Sequence, residues 1–188
     1  VMDALILVRQ AAGWISSDAK SCFDRIVHWI GALGLLRFGI PWEPIRCLFR
    51  SLQFATHRLR TGFGDSTLSF RSTPDKLFQG CGPGNGAGPA LWIAISSILI
   101  DMMIMQGVGL CVLSALTLTR VVANCFAFID DTDIIQAAAT PHIPAKDIVP
   151  SVQRATDQWV GGVRATGGAV CPDKSFWCLI DHIWHPAT

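Results

Sequence analysis

The chain has 188 residues, the size of one domain with its own core, and 51% of them are hydrophobic types against 15% charged, which excludes a disordered chain. Fifteen Lys and Arg against 14 Asp and Glu leave a net charge of +1, so no global field draws nucleic acid and any basic patch must be local. Seven Cys, an odd number with no C-x-x-C pair, exclude a disulfide framework and point to a reduced, intracellular setting.

Val1–Gln10 lacks the cationic start, apolar run and small-residue cleavage site of a secretory signal, and the chain reads as cut from something longer. Gly13–Ser17 is a short, partly β-favouring run that ends at Asp18, so a buried strand should deliver Asp18 to a sheet edge. Phe23, Ile26, Val27, Ile30 and Leu33 then recur at helical spacing, which predicts one helix stopped by Gly39-Ile40-Pro41. A second short helix is expected over Pro44–Gln53, followed by a hairpin of Ala55–Phe63 and Thr67–Phe70 turning at Gly64-Asp65. Residues 40–78 or so therefore read as an inserted subdomain. Between Arg37 and Lys76 seven basic residues face three acidic ones, a local excess that suits phosphate contact.

Gln79–Gly88 holds five Gly in ten residues, and Pro89 opens an almost wholly apolar helix to Met105. Ala87–Leu118 is also the one serious membrane candidate, but Asp101 splits it into two pieces shorter than a comfortable span, and a buried helix followed by a buried strand explains it equally well. Leu110–Leu118 reads as that strand. Ala123–Ile129 and Thr132–Gln136 are expected to flank Asp130-Asp131 as hairpin arms. Ile148, Val152, Ala155, Trp159 and Val163 repeat in steps of four and three, an amphipathic helix ending at Gly167-Gly168 before a last strand, Phe176–Ile180. The order predicts an α+β fold with a mostly antiparallel sheet and helices on one face.

Asp18 closes a strand, and Asp130-Asp131 sit in a tight turn behind apolar residues. Carboxylates held so near a core are costly without a counter-charge. Three hard oxygen ligands from two strands suit divalent magnesium, which keeps open positions for phosphates and water. Taken alone, Asp130-Asp131-Thr132-Asp133 is equally an ordinary polar turn. Cys171, Cys178, His182 and His185 form C-x6-C-x3-H-x2-H, ligand types for zinc without the usual close Cys pair, so scattered core thiols are the simpler reading. His28 and His57 have no acid or nucleophile partner in sequence, and a hydrolase triad finds no support.

Four segments resemble motifs of reverse transcriptases, in family order. Asp18-Ala-Lys-Ser-Cys-Phe23-Asp24 is similar to their first catalytic motif, Gln79-Gly80 to their Gln-Gly motif, Phe128-Ile129-Asp130-Asp131 to their aromatic-x-Asp-Asp motif, and Gly167-Gly168 with Lys174 to the glycine-and-lysine motif that follows. The flavour is closer to retroelement enzymes lacking long terminal repeats than to retroviral ones. The resemblance implies a single polymerase palm domain over 1–188 with partial fingers at about 40–78, the upstream fingers strands and the thumb lying outside the chain. It implies that Asp18, Asp130 and Asp131 bind two Mg²⁺, with Mn²⁺ a possible substitute, and that Ala19, Phe23, Gln79 and Gly80 contact substrate. Phe23 falls at the position that excludes a ribose 2′-hydroxyl, and Lys174 at that of the lysine proposed to protonate the leaving pyrophosphate. The Gln-Gly segment departs from the family by running on into a longer glycine loop. The implied partners are a template-primer duplex, a deoxynucleoside triphosphate and flanking domains of a larger polyprotein. Trp184 would belong to a primer-facing hairpin. The rival readings are a palm remnant that only binds nucleic acid, and a small helical membrane protein with Asp130-Asp131 far from Asp18.

Overall fold

The computed structural model describes residues 1–82 and 84–182. The chain is α+β and divides into two compact units, one of Val1–Cys22 with Ser96–Thr188 and the other of Phe23–Ile95.

The first unit is built on strand β1 (Ala12–Asp18). The second unit holds helices α2 (His28–Arg37) and α3 (Trp42–Phe54) and the hairpin β2 (Thr56–Thr61) with β3 (Gly64–Arg71). Helix α4 (Ala87–Met105) starts in the second unit and ends in the first. It is followed by β4 (Leu110–Leu113) paired with β5 (Arg120–Ala123), then β6 (Cys125–Phe128), β7 (Asp131–Ala137), helix α5 (Val149–Ala165) and β8 (Phe176–Ile180). Before β1 lies α1 (Met2–Val8), an element the sequence reading did not place.

The main sheet is antiparallel throughout, in the order β6-β7-β1-β8. Alternation along β1 sends Gly13, Ile15 and Ser17 to one face, where Ile15 joins Ile134, Val152, Trp159 and Val163 in a core closed by α5. Gly13 is required there, because a Cβ would lie 2.3 Å from Val152 Cγ2. Trp159 reaches the same face and donates through Nε1 to Ser17 Oγ at 3.0 Å. Ala12 and Trp14 point the other way and pack with Leu5 of α1, Leu110, Ile135 and Ala137. Within the first unit, α1 and β4 cover that second face toward the start of β1. Toward its end Ser16, Asp18, Asp131, Asp133, Phe126, Phe128 and Phe176 share it by register.

The expected strand Leu110–Leu118 is cut at Leu113. Ser114 N donates to Thr119 O at 2.9 Å and Leu118 takes a left-handed φ of 54°, so the chain reverses into β5.

In the second unit, Ile26, Ala32, Leu35, Ile45, Phe49, Cys81, Leu91, Ala94 and Ile95 form the core. The single helix expected after Asp18 is instead a one-turn 3₁₀ helix, Cys22–Arg25, and then α2. The break at Ile26-Val27 is where the Gln79–Cys81 segment docks: Gly80 N donates to Ile26 O at 2.7 Å, Cys81 N to Phe23 O at 2.9 Å, and His28 N to Gln79 Oε1 at 3.1 Å. The hairpin turns at Gly62-Phe63 rather than Gly64-Asp65, with Thr61 paired to Gly64 and an irregularity between Arg58 and Arg60. The expected 40–78 segment lies inside this unit. Helix α4 is long and apolar enough to cross a membrane by length and composition, yet Leu91, Trp92, Ala94, Ile95, Leu99 and Met103 are buried. Asn85 Oδ1 accepts from Ala87 N at 2.9 Å and so starts the helix.

Candidate active site

Asp18 and Asp131 are partners in the β1–β7 register, so their side chains stand side by side on the same face. Asp130 precedes Asp131 in the two-residue turn between β6 and β7, and its carbonyl accepts from Ala19 N at 3.0 Å. The turn is bent at Ile129, whose φ of 56° is unfavourable for a β-branched residue. The three acids predicted from sequence are thus brought to one end of one sheet. The membrane reading, which needed Asp130-Asp131 far from Asp18, loses its premise.

The backbone around Asp18 is fixed from several sides. Its carbonyl accepts from Cys171 N at 2.9 Å, and its amide donates to Ser175 Oγ at 3.2 Å, a hydroxyl that itself donates to Cys171 O at 2.8 Å. Lys20 N donates to Ala169 O at 2.8 Å, tying the next turn to the segment after α5. Ser175 was not singled out in the sequence; its position directly after Lys174 is the only local signal.

Lys174 stands on Asp18, its Nζ donating to Oδ2 at 3.2 Å, with the lysine side chain 68% and the aspartate 16% exposed. The bond to Asp18 and its charge, with smaller contributions from Cys171 and Asp130, hold the ammonium above the ordinary lysine pKa. Lys174 is therefore charged at neutral pH and a weaker acid than a free lysine. Like charges directly opposite on a sheet repel, and Lys174, paired with Asp18, offsets part of that repulsion. Among the described residues no three His, Cys, Asp or Glu side chains are gathered closely enough to hold a metal ion. The donor chemistry fits magnesium; the present arrangement gives Asp18 to the lysine. The same absence applies to Cys171, Cys178 and His182, while His185 and Trp184 lie outside the described residues.

The remaining predicted residues belong to the second unit. Phe23 is half-buried and packs against its core; a Cβ on Gly88 would lie 3.3 Å from the Phe23 ring. The Gln79 side chain caps the start of α2, as its bond to His28 N shows, and Gly80 adopts φ 76° with a Cβ position only 2.5 Å from Asp24 O. His28, buried, donates through Nε2 to Gly80 O at 2.7 Å. A carbonyl can only accept, so the proton is on Nε2 and Nδ1 accepts from Gln53 Nε2 at 3.0 Å. Burial pulls the His28 pKa down, against the opposing pull of the Gly80 carbonyl. Both partners are distant in the chain, and neither is an acid or a nucleophile.

No protein-family model matches the sequence, and no curated protein matches it significantly. The fold does match solved structures. Apo telomerase from Candida tropicalis, truncated from its C-terminal domain, superposes with a TM-score of 0.59 at 14% identity, covering 96% of this chain and 34% of that one. Telomerase from Candida tropicalis with a TWJ fragment of telomeric RNA gives 0.59 at 14% identity, with 95% and 28% covered. The Candida albicans telomerase with a TWJ fragment gives 0.55 at 11%, with 98% and 29% covered. Telomerase is a reverse transcriptase, and the chain has a reverse-transcriptase-like fold spanning about a third of the length of these telomerase chains.

Proposed function

We propose that this chain is the catalytic palm of an RNA-directed DNA polymerase, transferring nucleotides from deoxynucleoside triphosphates to a primer 3′-hydroxyl on an RNA or DNA template. The observation that carries the reading is the cross-strand pairing of Asp18 with Asp131, with Asp130 tied to the same strand end through Ala19. The reverse-transcriptase-like fold and the four motifs in order support it; the retroelement kind without long terminal repeats rests on the motifs alone.

Asp18, Asp130 and Asp131 would hold the divalent ions. Bound Mg²⁺, or Mn²⁺ in its place, supplies activation of the attacking hydroxyl and stabilisation of the departing pyrophosphate. The chain's own residues do the rest. The bond from Cys171 N to the Asp18 carbonyl and the bond from the Asp18 amide to Ser175 Oγ hold this backbone to one geometry, as an electrostatic site requires. Lys174, beside Asp18, would be placed to give a proton to the leaving group, and it would be a better donor wherever its bond to Asp18 is released, since that bond is the main cause of its raised pKa. Phe23 would select deoxyribose by occupying the space of a 2′-hydroxyl, and Ala19, Gln79 and Gly80 would line the nucleotide's path. Template-primer duplex, an intracellular setting and flanking polyprotein domains belong to the same proposal, as does a single palm domain with its 40–78 fingers insertion.

The test is Mg²⁺-dependent primer extension by the longer parent protein. Asp18→Asn and Asp131→Asn should each abolish extension without altering the far-ultraviolet circular dichroism, and wild-type extension by either would remove the assignment. A second reading, a palm remnant that only binds nucleic acid, is favoured by the Lys174–Asp18 ion pair and the lack of a metal-holding group among the described residues. It is chosen if the intact parent binds duplex but incorporates nothing.

A further inference from the structure

Two indoles on the second unit have no role in the reading above. Trp29, in the first turn of α2, and Trp42, the first residue of α3, lie nearly parallel, 14° between planes and 6.4 Å between ring centroids. They are 69% and 42% exposed. That separation lies within the roughly 4.5–7 Å at which offset-stacked aromatic pairs ordinarily pack, so the two indoles form one contiguous aromatic surface. Leaving that much of both rings in water forfeits the burial that large aromatics usually gain.

Beneath the indoles is a cavity of about 130 Å³ whose apolar floor is Ala32 and Phe49 and whose rim carries Arg46 and Arg50. Arg46 meets Glu43 at 2.6 Å, but both are exposed, so the pair is weak and readily exchanged. Arg50 lies 5.9 Å over the Phe54 ring. An exposed aromatic pair with two guanidiniums beside it suits a planar base attached to a phosphate.

We propose that Trp29 and Trp42 form a stacking platform for an unpaired base of single-stranded nucleic acid, with Arg46 and Arg50 on its phosphate. The site shares no residue with the acidic centre, needs no divalent ion, and stands or falls separately from polymerase chemistry.

The experiment is fluorescence anisotropy of a labelled ten-nucleotide oligo(A) RNA with the 188-residue chain in EDTA. Trp29→Ala and Trp42→Ala should each weaken binding about 5- to 150-fold, the range for losing one base–aromatic stack. An abasic oligomer of equal length should bind wild type and both variants alike. Arg50→Ala should lower the slope of log affinity against log salt by about one. Trp29→Phe, which keeps a ring at the same exposed site, should retain most of the affinity and so separates lost stacking from lost folding. Wild-type affinity in both alanine variants, no binding by wild type, or equal wild-type affinity for oligo(A) and the abasic oligomer overturns the proposal. The first of these would leave the indoles to a protein partner.

Discussion

Gly80→Ala probes the joint that positions the Gln-Gly segment. The new methyl would lie 2.5 Å from Asp24 O and 2.6 Å from Asp24 C and Cα, all backbone atoms that no side-chain rotation can move aside. An alanine at φ 76° also enters the left-handed region, at about 1–2 kcal/mol. Displacing the segment strains packing by about 1–3 kcal/mol and weakens hydrogen bonds from Gly80 N and His28 Nε2 worth roughly 1 kcal/mol each. The expected loss is about 3–5 kcal/mol, a large part of a typical domain's stability. Gly39→Ala is the control, since its φ of 79° is nearly the same but nothing lies within 4 Å of the added Cβ. That variant should lose only about 1–2 kcal/mol. Urea unfolding followed by tryptophan fluorescence measures both. A Gly80→Ala loss within 0.5 kcal/mol, or so, of the Gly39→Ala loss would refute the claim that Asp24's backbone excludes a side chain there.

His28 is neutral in the fold and its pKa lies below the unfolded value of about 6.5, so its contribution to stability is full above that pH and falls as pH drops through the window beneath it. Urea midpoints at pH 7.5 and 5.5 should therefore diverge in wild type and converge in His28→Phe; an undiminished difference in the variant removes the assignment. Burial pushes the Cys125 thiol up to about 11 and raises Cys81, which also faces the charge of Asp24. Mass-spectrometric mapping after brief iodoacetamide treatment at pH 7.5 should find Cys47, Cys111 and Cys178, the exposed thiols, alkylated first, and early labelling of Cys125 would contradict its burial. Under the proposed function, Phe23→Ala should admit ribonucleotides in primer extension, and unchanged sugar selectivity would end the steric-gate role.

Much of the first unit was legible because its signals are local. The β1 and β8 runs, the four-and-three repeat of α5 and the turn at Asp130 each declare themselves within one short segment, and Gly167, at φ 89°, stops α5 where expected. The acids could be paired from sequence only through the family resemblance; the register that sets Asp18 against Asp131 depends on residues over a hundred positions apart. The misread helix after Asp18 has the same origin. Its apolar spacing is continuous, and what breaks it is a loop from fifty positions downstream whose amides and Gln79 side chain satisfy the groups around Ile26 and His28. The β2–β3 turn was misplaced because most of that ribbon is exposed on both faces, so burial does not pin its register. Leu110–Leu118 has no Gly or Pro to mark the reversal at Ser114, and only the pairing of β4 with β5 reveals it.

The most direct test is a crystal structure of the chain grown with manganese and read by anomalous scattering. Expected is a manganese peak at about 2.0–2.2 Å from carboxylate oxygens of Asp18 and of Asp130 or Asp131, with Lys174 Nζ displaced from Asp18. Lys174 still bonded to Asp18, with no manganese between the strands, would contradict the two-strand acidic centre as a metal site.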